Sequence, residues 1–210
     1  MTDLGIQRPG PGIAPPGVAL LLIWAGIVVA LAVTGAFDVP PDQPALPTLV
    51  AIAVPVLAFL GAVFLVPGVR SWALDLDPVL LTEFQAWRIM GGAFLIVLFF
   101  GHLPAIFAWP AGVGDVAVGL AAPFMAMRLR QRPGFLRSRQ YLSFLVLGLV
   151  DFAVAITIGV ASRSAEVAGE VTSVAMGQVP LVLIPTLAVP GFIVLHLIVL
   201  LQILTPEKEN

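Results

Sequence analysis

Long apolar runs separated by short polar breaks dominate the chain. An apolar run of about 20 residues is long enough to cross the hydrocarbon core as a helix. Six such runs lie near 18–37, 46–66, 86–107, 111–127, 141–160 and 180–203. Pro104, Pro110 and Gly112 predict a reversal between the third and fourth. Pro123 interrupts the fourth, so a re-entrant segment is the alternative there. The expected fold is all-α: a polytopic transmembrane helix bundle of six spans over residues 18–204. A proline-rich, disordered lead (1–17) precedes it and a polar tail (205–210) follows, both on the cytoplasmic side. The first run is expected to stay as a span, because it is too long for a signal peptide and its leader carries only Arg8.

Arginine and lysine set the orientation. The loop 128–139 holds Arg128, Arg130, Arg132, Arg137 and Arg139. With that loop inside the cell, Arg8, Arg70, Arg88 and Lys208 are also expected inside, and only Arg163 outside. Both termini are then cytoplasmic. Trp72, Trp87 and Tyr141 fall at the inner interface and Trp109 at the outer, as an aromatic belt. Asp77-Pro78 predicts an N-cap followed by proline at the first helical position, which would start the third helix at residue 78.

Composition narrows the function. Of 210 residues, 60% are hydrophobic and 10% charged, against about 45–50% and about 25% in a soluble domain. So few charges cannot cover a water-soluble globule, and the mean hydropathy of +1.07 agrees. The lipid bilayer is the expected partner. The net charge of −2 offers no basic surface to nucleic acid. Without cysteine there is no disulfide, thiolate metal site or cysteine nucleophile. No HExxH, serine-nucleophile or phosphate-loop motif occurs, so the reading leans away from an enzyme, with no metal and no cofactor. His102 and His196 differ in depth by roughly 8–10 Å, which weakens a shared haem iron.

The candidate chemistry lies in ionisable residues inside the runs, where a charge at the helix centre costs about 2.5–3.5 kcal/mol. Asp151 is ten residues past Tyr141, about 15 Å deep. It shares a helix sector with Gly148, Ala155 and Gly159, so it is expected to face the bundle and to be uncharged unless His196 or water reaches it. Asp115 shares a face with Ala111, Gly112, Gly119, Ala122 and Ala126, and reads first as an acid in the opening turn of its helix. His102, across the reversal at similar depth, is its expected hydrogen-bond partner. The face carrying His102 also carries Arg88, Gly91, Gly92 and, at its edge, Gln85. Arg88 reads first as a snorkelling residue near the inner boundary. His196 and Asp151 lie at similar depth on neighbouring helices and are a second expected pair.

Two segments, GHLPAIFAWPAGVGD (101–115) and LVLIPTLAVPGFIVLHLIVLLQ (181–202), resemble small bacterial six-helix membrane proteins of uncharacterised activity. The likeness covers roughly residues 85–203 and rests on Leu103-Pro104, Pro110-Ala111-Gly112, Gly114-Asp115, Asp151 and His196. It implies a multi-pass protein of the bacterial inner membrane and no particular substrate. The expected function is transport of a small solute or a proton through an interior polar site. Asp151, His196, Asp115, His102, Arg88 and Gln85 are its candidate residues. The alternative is a non-catalytic membrane subunit or scaffold, and a homo- or hetero-oligomer suits either reading.

Overall fold

A computed structural model describes residues 15–132 and 134–205. Helices α1 (Pro15–Val33), α2 (Leu46–Leu65), α3 (Pro67–Asp75) and α4 (Pro78–Phe84) come first. A 3-10 helix (Gln85–Gly92) continues α4 directly into α5 (Ala93–Phe99). Then follow α6 (Ala105–Gln131), α7 (Arg139–Ala161) and a short α8 (Ala165–Ala168). A 3-10 turn (Ser173–Gly177) leads to a π-helical turn (Ile184–Ala188) that opens α9 (Val189–Leu204). No strand occurs among the described residues.

Five helical stretches are long and apolar enough to cross a membrane: Leu46–Leu65, Pro78–Phe99, Ala105–Gln131, Arg139–Ala161 and Ile184–Leu204. Ala19–Val33 is apolar but shorter. Large apolar side chains cover the outside of the bundle; Phe64, Leu65 and Phe99 are 79%, 82% and 84% exposed. Water would not tolerate so continuous an apolar surface, whereas lipid requires one. The molecule is an all-helical membrane protein.

The interior is built around α6. Its small-residue stripe, Ala111, Gly112, Gly119, Ala122 and Ala126, is buried and lets the preceding 3-10 segment approach closely. A Cβ on Gly119 would stand 2.7 Å from the Ile89 backbone nitrogen. Beside it, α7 and α9 contribute Phe144, Leu145, Ile198 and Val199 to the largest buried apolar cluster. Tyr141 is wholly buried in that cluster rather than at an aromatic belt. Its hydroxyl lies 2.5 Å from Thr82 Oγ1, which itself donates to the Pro78 carbonyl at 2.7 Å. Thr82 has a single hydroxyl proton, so Tyr141 is the donor in this pair.

Three expectations change. The reversal before α6 lies at residues 100–104, earlier than the break expected between 107 and 111: Gly101 takes a positive φ of 73° there, and Pro104, one of the three expected markers, occupies the N-cap position of α6. The expected spans 86–107 and 111–127 become 78–99 and 105–131, with Pro110 and Pro123 accommodated inside one 27-residue helix. Proline removes one backbone donor, and local adjustment in a membrane helix re-satisfies the freed carbonyl. The third span does begin at Pro78, with Asp77 Oδ1 accepting from Val79 N at 2.8 Å. Arg88 therefore lies about 15 Å into the span rather than near its inner boundary. Last, residues 15–17 of the expected disordered lead open α1. Residues 1–14 and 206–210, with Arg8 and Lys208, lie outside the described residues.

Candidate functional site

The third span supplies the centre of the site because its middle is not α-helical. A 3-10 helix has three residues per turn, so residues three apart align. Gln85, Arg88 and Gly91 follow that spacing, and all three are buried. Glycine at 91 is sterically required, since a Cβ there would collide with the Asp115 carboxylate. The same segment turns Trp87, Ile89 and Met90 outward.

Arg88 is 1% exposed and holds two carboxylates. Its Nε donates to Asp115 Oδ1 of α6 at 2.8 Å, and its Nη2 donates to Asp151 Oδ2 of α7. Nη1 donates to the Gly148 carbonyl at 3.1 Å, and the guanidinium carbon stands 3.8 Å over the Phe152 ring. The planar guanidinium fits such a site because its five donors are fixed in direction and its face can stack on an aromatic ring. Snorkelling does not describe this arginine: buried pairing with two acids replaces contact with headgroups.

The helices approach closely enough for this through glycine. A Cβ on Gly114 would collide with the Asp151 carboxylate, and one on Gly148 with His196 Nε2. His196 is 1% exposed. Its Nδ1 lies 3.0 Å from the Phe192 carbonyl, which can only accept, so Nδ1 carries the proton. Nε2 is then an acceptor, and it has no partner among the described residues. Gln85 Nε2 donates to the same Phe192 carbonyl at 3.3 Å, while its Oε1 is buried without a partner.

Five of the six candidates thus meet in one region: Arg88, Asp115 and Asp151 in direct contact, with His196 and Gln85 beside them through Gly148 and Phe192. His102 does not join them. It is exposed in the 100–104 turn, and Asp115 lies about 15 Å farther along α6 from Ala105. The expected Asp115–His102 pair is absent because the reversal precedes α6, which sends Asp115 deep instead of leaving it in the first turn. The expected Asp151–His196 pair is also absent, since Arg88 takes the Asp151 carboxylate. Among the described residues, no group of three or more acids and histidines is arranged to hold a metal ion.

A cavity of about 80 Å³ opens beside the site between α2, α5, α6 and α7. Its walls are largely apolar, and Asp115 and Arg163 both line it. Arg163 lies two residues past α7 and is 7% exposed. Two participants went unrecognised in the sequence. Phe152 is one phenylalanine among 13. Arg163 carried a signal, as the lone arginine of its side of the bundle, but only a topological one.

No curated protein and no solved structure matches the chain. One family does, described as Domain of unknown function (DUF8737), and it matches residues 44–204, which include the whole ion-paired site and both cavity-lining charged residues. The chain therefore belongs to the DUF8737 family.

Proposed function

We propose that this chain moves a proton, alone or with a small solute, through the Asp115–Arg88–Asp151 site. The observation that carries the reading is that one guanidinium serves two carboxylates while one of them, Asp115, also lines a cavity. Arg88 compensates one negative charge. With both acids ionised, the site keeps a net negative charge that a proton or a small cation can neutralise. The free Nε2 acceptor of His196 adds a second proton-accepting atom nearby. A cluster that served only to tie helices together would need no cavity at one of its acids.

The reading extends to topology. We take α1 as a sixth crossing: it runs 19 residues, and Val28 and Ala32 on it are buried. The arginine-rich loop 128–139 orients the bundle with both termini inside, in the inner membrane of a bacterial cell. Reporter fusions at 42, 134 and 168 are expected to read outside, inside and outside. A signal from outside at 134 reverses the orientation.

Proton movement is tested in proteoliposomes loaded with a pH-sensitive dye. Wild-type protein is expected to dissipate an imposed pH gradient faster than empty vesicles. Asp115→Asn is expected to fold and to abolish that flux, because an amide cannot titrate. Flux unchanged in both Asp115→Asn and Asp151→Asn would favour the scaffold reading instead.

A further inference from the structure

We infer that the cavity beside Arg163 binds a short-chain alkyl carboxylate, with the Arg163 guanidinium taking the acid group. This goes beyond the proton site, since binding at Arg163 stands whether or not Asp115 exchanges protons.

The argument starts from an uncompensated charge. Arg163 is 7% exposed, yet no carboxylate lies within ion-pair distance of it among the described residues. Its Nη2 donates to the carbonyls of Val39 at 2.8 Å and Pro40 at 2.9 Å, with Gln43 at 3.5 Å. Nε is buried without a partner, and Nη1 makes no hydrogen bond to a described residue. Two acids flank those carbonyls: Asp38 accepts from Gln178 instead, and Asp42, exposed in the same loop, makes no ion pair with Arg163. Carbonyl dipoles satisfy donors but do not cancel a charge, and burying a cation without a counter-ion is costly. An anion is the group this position lacks.

The cavity states what kind of anion. Its apolar walls include Ile52, Phe107, Ala155, Ile156 and Gly159, which suit an alkyl chain and not a hydrated ion. Thr48 also lines it and makes no side-chain hydrogen bond to a described residue, so its hydroxyl is free to donate to a ligand. Ser173 lines it too, but its proton is committed to the Gly159 carbonyl at 2.6 Å. At the other end stands Asp115. Asp151, which shares Arg88 with it, is about 18 Å along α7 from Arg163. That negative end repels an acid head and directs it to Arg163. The volume, about 80 Å³, is roughly half that of a cavity of about 150 Å³ that admits benzene. It accommodates an alkyl group of a few carbons and is too small to enclose a lipid-length chain.

Thermal unfolding of the full-length purified protein in detergent tests this, with butyrate as the probe at constant ionic strength. Butyrate at ten times its Kd is expected to raise Tm by about 3 °C and to saturate. Butanol and butylammonium at equal concentration are expected to give no shift, and palmitate is expected not to compete. Arg163→Gln should lose the butyrate shift. That variant also loses loop contacts, so Ala155→Leu, which fills the cavity and leaves Arg163 in place, is the second arm and should lose the shift while remaining folded. Equal stabilisation by butanol, displacement by palmitate, or a butyrate shift that survives Ala155→Leu would each overturn the proposal. So would the absence of any butyrate shift. If proton flux persists while butyrate fails to bind, this inference falls and the proton reading stands; loss of flux with butyrate binding intact gives the converse.

Discussion

Among the described residues two arginines are buried, and they are compensated in different ways. Arg88, midway through the third span, meets two carboxylates and an aromatic face. Arg163, just beyond α7, meets only backbone carbonyls and leaves Nε unpartnered. Depth accounts for part of the contrast. At the centre of a bilayer no water or headgroup is within reach, so a guanidinium there must carry its counter-ions with it. At the end of a helix, loop carbonyls are free to turn inward, and a mobile anion can arrive from solution. The first arginine is built into an ion-paired cluster. The second holds the 39–43 loop and faces a cavity. Burial alone therefore does not set what an arginine site still lacks; the presence or absence of a matching carboxylate does.

Stability measurements can break this contrast. Arg88→Met leaves two buried carboxylates without a cation and is expected to destabilise the protein by about 3–5 kcal/mol in denaturant unfolding. Arg163→Met removes hydrogen bonds from a charged donor to neutral carbonyls and should cost less, about 1.5–3 kcal/mol. Equal losses from the two would mean that Arg163 has a carboxylate partner in solution or that Arg88 does not rely on its acids. The smallest effect is expected from Asp151→Asn, about 1 kcal/mol or less, because Asp115 still compensates Arg88 and an amide oxygen can still accept from Nη2. Asp115→Asn combined with Asp151→Asn strands the guanidinium and should cost far more than the sum of the single changes, a non-additivity that a double-mutant cycle reads directly. Additive small losses would show that Arg88 is stable in its site without either acid.

Much of the site's membership was legible in the sequence, but its pairing was not. Charged residues within long apolar runs stand out by composition, and Arg88, Asp115, Asp151, His196 and Gln85 could all be named from it. The wrong partner for Asp115 followed from one boundary. With the third span run on to 107 and the fourth begun at 111, Asp115 belonged to a first turn and His102 was its neighbour. With the reversal at 100–104, Asp115 moves about 15 Å inward, level with Arg88. Proline within a membrane helix is a weak stop signal, and Pro110 and Pro123 both continue α6. The 3-10 segment was equally hard to foresee. Gln85, Arg88 and Gly91 share a face at a period of three, whereas α-helical counting put Gln85 only at the edge.

The apolar runs, the paucity of charge and the intramembrane acids by themselves determine an all-helical membrane protein with polar groups inside, because a bilayer admits only backbones that satisfy their own hydrogen bonds. The capped start at Pro78 is likewise local: Asp77 supplies the acceptor and proline fixes the first φ. Which acid meets which cation is not local. It depends on the relative depth and rotation of α6, α7 and the third span, and these are set by Gly91, Gly114 and Gly148 allowing helices to touch where any side chain would collide with a carboxylate or an imidazole. Only tertiary packing brings Arg88 between Asp115 and Asp151 and leaves Arg163 facing a cavity without an acid of its own, because those contacts join residues 27 and 63 apart in sequence and no local rule relates them.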